Sequence, residues 1–224
     1  MKRWLSYLIF FLLIPVTVLG GALIFKQKQY AFLSLCVTVF SCVPFFLHFE
    51  KKQSSAGQLI LIAVMVALSV LGRFIFAPLP GFKPVTAMVV ITAMYFGSEA
   101  GFMTGSLSAV LSNFYFGQGP WTPFQMFSWG MIGLLAGLMA EPLKRSKIVL
   151  TVFAVFSGVL YSLLMDIWTV LWADGYFNFS RYLAAILSAA QFTAVYAVSN
   201  VVFLLLLAKP IGKILNRVTI KYGL

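Results

Sequence analysis

Charge is scarce in this chain. Only 9% of its 224 residues are Asp, Glu, Lys or Arg, and just five are acidic. There is one histidine, His48, and there are two cysteines, Cys36 and Cys42. Each shortage excludes a class of chemistry. The lone histidine stands in no HExxH pattern and has no paired Asp, and no serine sits in a GxSG-type context, so an intramembrane protease or metalloenzyme lacks its minimum set of groups. No Walker lysine loop is present, so any use of ATP must come from another subunit. The expectation is a chain with no catalytic residues, no metal site and no cofactor of its own. Cys36 and Cys42 are six residues apart in one apolar run, on different faces of a helix, as buried packing thiols would be rather than as a disulfide.

What the chain has instead is hydrocarbon. Apolar residues make up 62% of it. A helix needs roughly 20 predominantly apolar residues to cross a hydrocarbon core about 30 Å thick, at about 1.5 Å per residue. Apolar runs of that kind recur from residue 4 to residue 207. The predicted segments are Trp4 to Phe25, Ala31 to Phe49, Gln58 to Ala77, Pro84 to Gly97, Ala100 to Phe116, Thr122 to Ala140, Ile148 to Ala173 and Arg181 to Ala208. The polar stretch Glu50 to Gly57 (EKKQSSAG) separates the second from the third. The first segment is longer than a signal-peptide core and Phe25-Lys26-Gln27 is no small-residue cleavage site, which makes it a retained helix. The expected fold is all-α: a polytopic membrane bundle with an N-terminal hairpin and linker over 1–56, a six-helix core over 57–208 and a basic tail over 209–224, a stretch with the character of an interfacial helix.

The net charge of +11 follows from membrane topology rather than from nucleic acid, for no basic tract or soluble domain exists to hold DNA or RNA. With the N-terminus inside, the cytoplasmic ends carry eleven cations: Lys2, Arg3, Lys51, Lys52, Lys144, Arg145, Lys147, Lys209, Lys213, Arg217 and Lys221. The external side carries five: Lys26, Lys28, Arg73, Lys83 and Arg181. That asymmetry predicts a multi-pass protein of the cell membrane with both termini cytoplasmic.

This orientation gathers three unusual loops outside: Pro78 to Pro84 (PLPGFKP), Gly117 to Pro123 (GQGPWTP) and Asp174 to Arg181 (DGYFNFSR). Each mixes aromatics, hydrogen-bonding groups and Gly or Pro, a composition suited to lining a cavity. Ionisable residues within the spans need a reason. Arg73 and Asp166 both fall in the outer leaflet, either as an ion pair or as a wall that binds a ligand. Asn113, Gln118 and Gln125 flank the second loop, placed to satisfy its backbone or to face a polar ligand. Gln191 and Asn200 lie deeper, where hydrogen bonding between helices is expected. Small residues spaced by four mark close helix contacts. Gly97, Gly101 and Gly105, and Gly133 and Gly137, are packing seams within the bundle, while Ala63 and Ala67 leave a shallow groove that suits internal packing or a docking helix.

The stretch from Ile62 to Ala140 resembles the substrate-binding S components of energy-coupling-factor (ECF) vitamin transporters. The resemblance rests on Ala63 and Ala67 in the first core helix, on GRFIFAPLPGFKP from Gly72 to Pro84, and on Gly101 to Trp129 with Ser112-Asn113, FGQGPWTP from Phe116 and Gln125-Met126. It covers roughly residues 57 to 208, and the GQGPWTP string is similar to the cobalamin-related branch. The resemblance implies a vitamin bound at the external face, a membrane T component and two cytoplasmic ATPase subunits as partners, and docking of the T component on Ala63 and Ala67. Cobalamin, or cobinamide, is the expected ligand, which calls for a wide cavity with aromatic walls and neutral polar groups rather than a strong counter-ion. The expected substrate residues are Arg73, Phe82, Lys83, Asn113, Gln118, Trp121, Gln125, Asp166, Tyr176, Phe177 and Asn178. Other substrates (a cobalamin precursor, a queuosine-type base or another vitamin) and a non-transport assembly protein remain open alternatives.

Overall fold

The computed structural model describes residue 42 and residues 56–222. The expected N-terminal hairpin and Cys36 therefore lie outside the described residues, apart from Cys42, which is buried against Phe102 and Leu134. Among the described residues there are seven helices and no strand. They are α1 (Ala56–Ile75), α2 (Val85–Phe96), α3 (Ser98–Phe116), α4 (Thr122–Leu138), α5 (Ala140–Arg145), α6 (Lys147–Asp174) and α7 (Phe179–Tyr222). All but α5 begin within a few residues of where the apolar runs predict them. Three helices, α1, α6 and α7, are long and apolar enough to cross a membrane.

The short helix α2 is the centre of the bundle. Every residue from Val85 to Met94 is buried, because the sequence VTAMVVITAM offers no polar stripe and is apolar all round. Helices α1, α3, α4 and α7 pack against it. With 12 residues, α2 is about 18 Å long, well short of the bilayer core. Space is left beyond its N-terminal end, and the chain between α1 and α2 folds over that space.

The glycine spacing sets the closest crossing, between α3 and α4. A methyl group added at Gly101 would lie 2.7 Å from the Gly133 carbonyl oxygen, and one at Gly105 would lie 2.5 Å from that of Trp129. Only hydrogen at these positions lets the two backbones meet. The Ser106 hydroxyl adds a bond across the same seam, donating to the Met126 carbonyl at 3.1 Å.

The C-terminal boundary differs from the sequence expectation. Helix α7 runs unbroken for 44 residues, through Pro210, so the basic tail continues the last core helix. Packing explains the continuity. Gly212 lies against the Tyr95 ring, and Leu215 is buried in the core. Neighbouring helices commonly support a proline inside a membrane helix.

Candidate functional site

Beyond the N-terminal end of α2 lies a cavity of about 110 Å³. Val85 and Thr86, in the first turn of α2, form its floor. Arg73 comes from the last turn of α1, and Gly81 and Lys83 come from the α1–α2 loop. Gln125 and Trp129 are one turn apart on α4, Tyr161 is on α6, and Tyr196 and Asn200 are one turn apart on α7.

The aromatic wall is ordered ring by ring. Trp129 and Tyr161 stack with centroids 5.1 Å apart and planes 16° from parallel, and Tyr196 meets Tyr161 edge-on at 5.3 Å. The close α3–α4 crossing holds the Trp129 backbone in place, since that is the backbone Gly105 touches.

A polar frame stands behind the wall. Arg73 Nη1 donates to the Ser112 hydroxyl and, at 2.8 Å, to Asn113 Oδ1. The Asn113 amide nitrogen donates to Gln125 Oε1 at 2.7 Å and to Thr122 Oγ1 at 2.9 Å. Gln125 Nε2 in turn donates to the Tyr161 hydroxyl at 3.3 Å. Asn113 is 1% exposed, and its oxygen and both amide hydrogens are engaged, which fixes which way the amide faces. The guanidinium of Arg73 also lies 4.6 Å from the Phe116 ring centre and 5.4 Å from that of Trp129.

The α1–α2 loop is fastened from two sides. The Lys83 backbone N–H donates to Ser199 Oγ at 2.8 Å, and that hydroxyl donates back to the Lys83 carbonyl at 3.1 Å. Gly81 sits at φ +74, a conformation that glycine adopts without strain, and a side chain there would press on Val195 and Tyr196. The Lys83 ammonium lies 5.1 Å from the Phe116 ring centre. Burial, and secondarily the charge of nearby Arg73, holds Lys83 below the ordinary lysine pKa.

Of the residues expected to contact substrate, Arg73, Lys83 and Gln125 line this cavity, and Asn113 braces Arg73 and Gln125 from behind. The others are occupied elsewhere. Phe82 packs on Phe76 and Phe203. Gln118 secures its own loop, donating to the Val110 carbonyl at 2.8 Å and accepting from Thr122 Oγ1 at 3.0 Å. Trp121 is 36% exposed and lays its ring against Gly119. In the third loop Asn178 Oδ1 accepts from the Arg181 backbone at 3.2 Å, Arg181 bonds Asp174 at 2.6 Å, and Phe177 packs on Tyr182 while Tyr176 stays partly exposed. That loop closes on itself and contributes nothing to the cavity.

One alternative is decided and one expectation is corrected. Of the two readings open for Arg73 and Asp166, the ion pair does not form among the described residues: Arg73 Nη1 bonds Ser112 and Asn113 on α3, and Asp166 Oδ2 has no hydrogen-bond partner there. The cavity is narrow rather than wide, because the aromatic stack and the pinned loop fill the space above α2. Asn200 does bond between helices, donating to the Ala154 carbonyl at 3.3 Å, but it also lines the cavity. Gln191 is exposed. Sequence reasoning missed Trp129, Tyr161 and Tyr196 as wall residues. The available signal was a hydroxyl or indole N–H deep in an apolar run, where it needs a partner.

A second concavity, of about 390 Å³, lies on the outer side of α1 and α3. It is lined by Ala63, Val66, Ala67, Val70, Leu71 and Phe74 of α1 and by Leu107 and Leu111 of α3. Both alanines are exposed there.

A short all-helical bundle with a polar, aromatic cavity at one end and an apolar groove on its flank is the geometry on which the family comparison bears. The family model described as "ECF-type riboflavin transporter, S component" matches residues 53–217. The chain belongs to this family. The match spans all seven helices except the last residues of α7, so both the cavity and the groove lie inside it. Comparison with curated proteins and with solved structures returns no match. As an ECF S component the chain is a membrane transport subunit, and the family implies a T component and ATPases as its partners.

Proposed function

We propose that this S component captures a planar heteroaromatic vitamin at the outer face of the cell membrane and delivers it through a T component and two cytoplasmic ATPase subunits, without catalytic activity of its own. The observation that carries the reading is the stacked Trp129–Tyr161 wall in one cavity with the side-chain amides of Gln125 and Asn200. A flat ring offers one face to such a stack and its edge heteroatoms to the Gln125 and Asn200 side chains. The name of the matched family points to riboflavin as the first candidate. Small-molecule pockets measure roughly 300–1,000 Å³, so a flavin enters this narrower cavity only when the α1–α2 loop opens, and a corrinoid such as cobalamin requires far more rearrangement. Loop charge supports the outward orientation: the basic junction at α5 and the basic end of α7 lie at the opposite end of the bundle from the cavity. The flank groove at Ala63 and Ala67 is the docking surface for the T component, where small side chains admit a close helix.

Thermal unfolding of the purified protein with riboflavin, cobalamin, cobinamide and other vitamins tests the reading. Stabilisation by a flavin or another flat heteroaromatic is expected. Stabilisation by cobalamin alone overturns the substrate class, and no stabilisation by any vitamin favours an assembly role instead.

A further inference from the structure

Among the described residues the cavity holds two cations and no anion. Arg73 and Lys83 both line it, and Phe116 lies within 5.1 Å of each charged group. The acidic residues among the described ones are Glu99, Glu141, Asp166 and Asp174, and none of them lines the cavity. The ion pairs among the described residues use Glu141 and Asp174 and engage Lys144, Arg145 and Arg181, away from the cavity.

Arg73 is only 9% exposed, and a buried guanidinium without a counter-charge is costly. Its hydrogen-bonding is one-sided. Both bonds to Ser112 and Asn113 leave from Nη1, so Nε–H and the two Nη2 hydrogens have no acceptor among the described residues. That remaining edge is the one with which arginine grips a carboxylate or phosphate through two parallel bonds. The floor adds to the field. Val85 and Thr86 begin α2, so the positive end of that helix dipole abuts the cavity.

We propose that the ligand is an anion, a flat heteroaromatic ring bearing a carboxylate or phosphate, with the ring on Trp129 and Tyr161 and the anionic group held by the free edge of Arg73 and by Lys83. This rests on the vitamin-binding reading and departs from its first candidate, since riboflavin itself is neutral.

Matched pairs that differ in charge provide the test: flavin mononucleotide with riboflavin, pterin-6-carboxylate with 6-hydroxymethylpterin, and nicotinate with nicotinamide. Dissociation constants come from quenching of tryptophan fluorescence in the purified full chain at low ionic strength. In at least one pair the anionic member should bind about tenfold or more tightly, the scale of a charge-assisted contact. Lys83→Gln should reduce that preference to about twofold. Its backbone carries the bonds to Ser199, so the substitution removes charge without releasing the loop, and it decides the matter even where Arg73→Gln fails to fold. Neutral compounds that bind as tightly as their anionic partners, or a preference unchanged in Lys83→Gln, would overturn the anion proposal and leave the vitamin reading standing. No binding by any of the six overturns both.

Discussion

The two concavities of this bundle are built on opposite principles. The flank groove comes mainly from one helix, α1, and its residues follow helical spacing along the chain: Ala63, Val66, Ala67, Val70, Leu71 and Phe74. The cavity above α2 draws on α1, α2, α4, α6 and α7 and joins Arg73 to Asn200. The groove presents hydrocarbon to a surrounding that is itself hydrocarbon, so it gains only from shape. In the cavity polar atoms that leave water need partners, and one buried asparagine, Asn113, supplies partners to both Arg73 and Gln125. A periodic surface tolerates drift in any single residue, whereas a converging site depends on the crossing of its helices.

The largest expected effect breaks the site and spares the groove residues. Gly105→Leu drives a side chain into the Trp129 backbone at the α3–α4 seam. It should destabilise the protein by about 3 kcal/mol or more and abolish ligand binding, as measured by thermal unfolding and equilibrium binding. A stable variant with normal affinity would show that the seam does not position Trp129.

The second substitution does the reverse. Ala63→Leu together with Ala67→Leu fills the groove without touching the cavity lining. Co-purification with the T component should be lost, while the ligand dissociation constant of the isolated protein stays within about twofold, because close helix approach depends on the small side chains. Loss of binding with assembly intact would make the alanines internal packing.

A smaller effect separates two tryptophans. Trp129→Ala should weaken ligand binding by about 1–3 kcal/mol, the scale of a packed aromatic anchor. Trp121→Ala, at an exposed loop position, should change it by less than about 0.5 kcal/mol, the range of surface substitutions. Equal losses would extend the site up into the α3–α4 loop.

The smallest effect is an interaction that should be missing. Arg73→Gln and Asp166→Asn should be additive in unfolding free energy within about 0.5 kcal/mol, as for residues that share no partner. A double-mutant cycle that shows stronger coupling would restore the ion pair.

Much of the fold was legible because the bilayer requires long apolar runs. Apart from the end of α7, which runs on to Tyr222, the predicted starts and ends of the core helices fall within a few residues of those observed, and Ala63 and Ala67 face the groove as their spacing suggests. The glycine seams were legible for the same reason at Gly101, Gly105, Gly133 and Gly137, since four-residue spacing maps directly onto one helical face; Gly97, expected in the same seam, instead ends α2 at φ +91 with open space around it. The cavity was only partly legible. Arg73, Lys83 and Gln125 stood out as polar groups at the ends of apolar helices. Trp129, Tyr161 and Tyr196 did not, because an aromatic inside a span has the same composition whether it faces lipid, core or ligand. The loops misled for a related reason. Gln118, Asn178 and Trp121 carry ligand-binding chemistry, but local turns use up their hydrogen bonds and faces, and that competition is invisible until the backbone geometry is known.

The sequence by itself determined a helical membrane chain, its approximate segments, its charge asymmetry and its small-residue seams, all of which follow from local spacing and from the cost of polar groups in hydrocarbon. Only the tertiary structure decided what Arg73 bonds to. Two partners on α3, Ser112 and Asn113, engage its guanidinium through Nη1. Helix rotation and crossing set that choice, and both are collective outcomes of side-chain packing across the whole bundle.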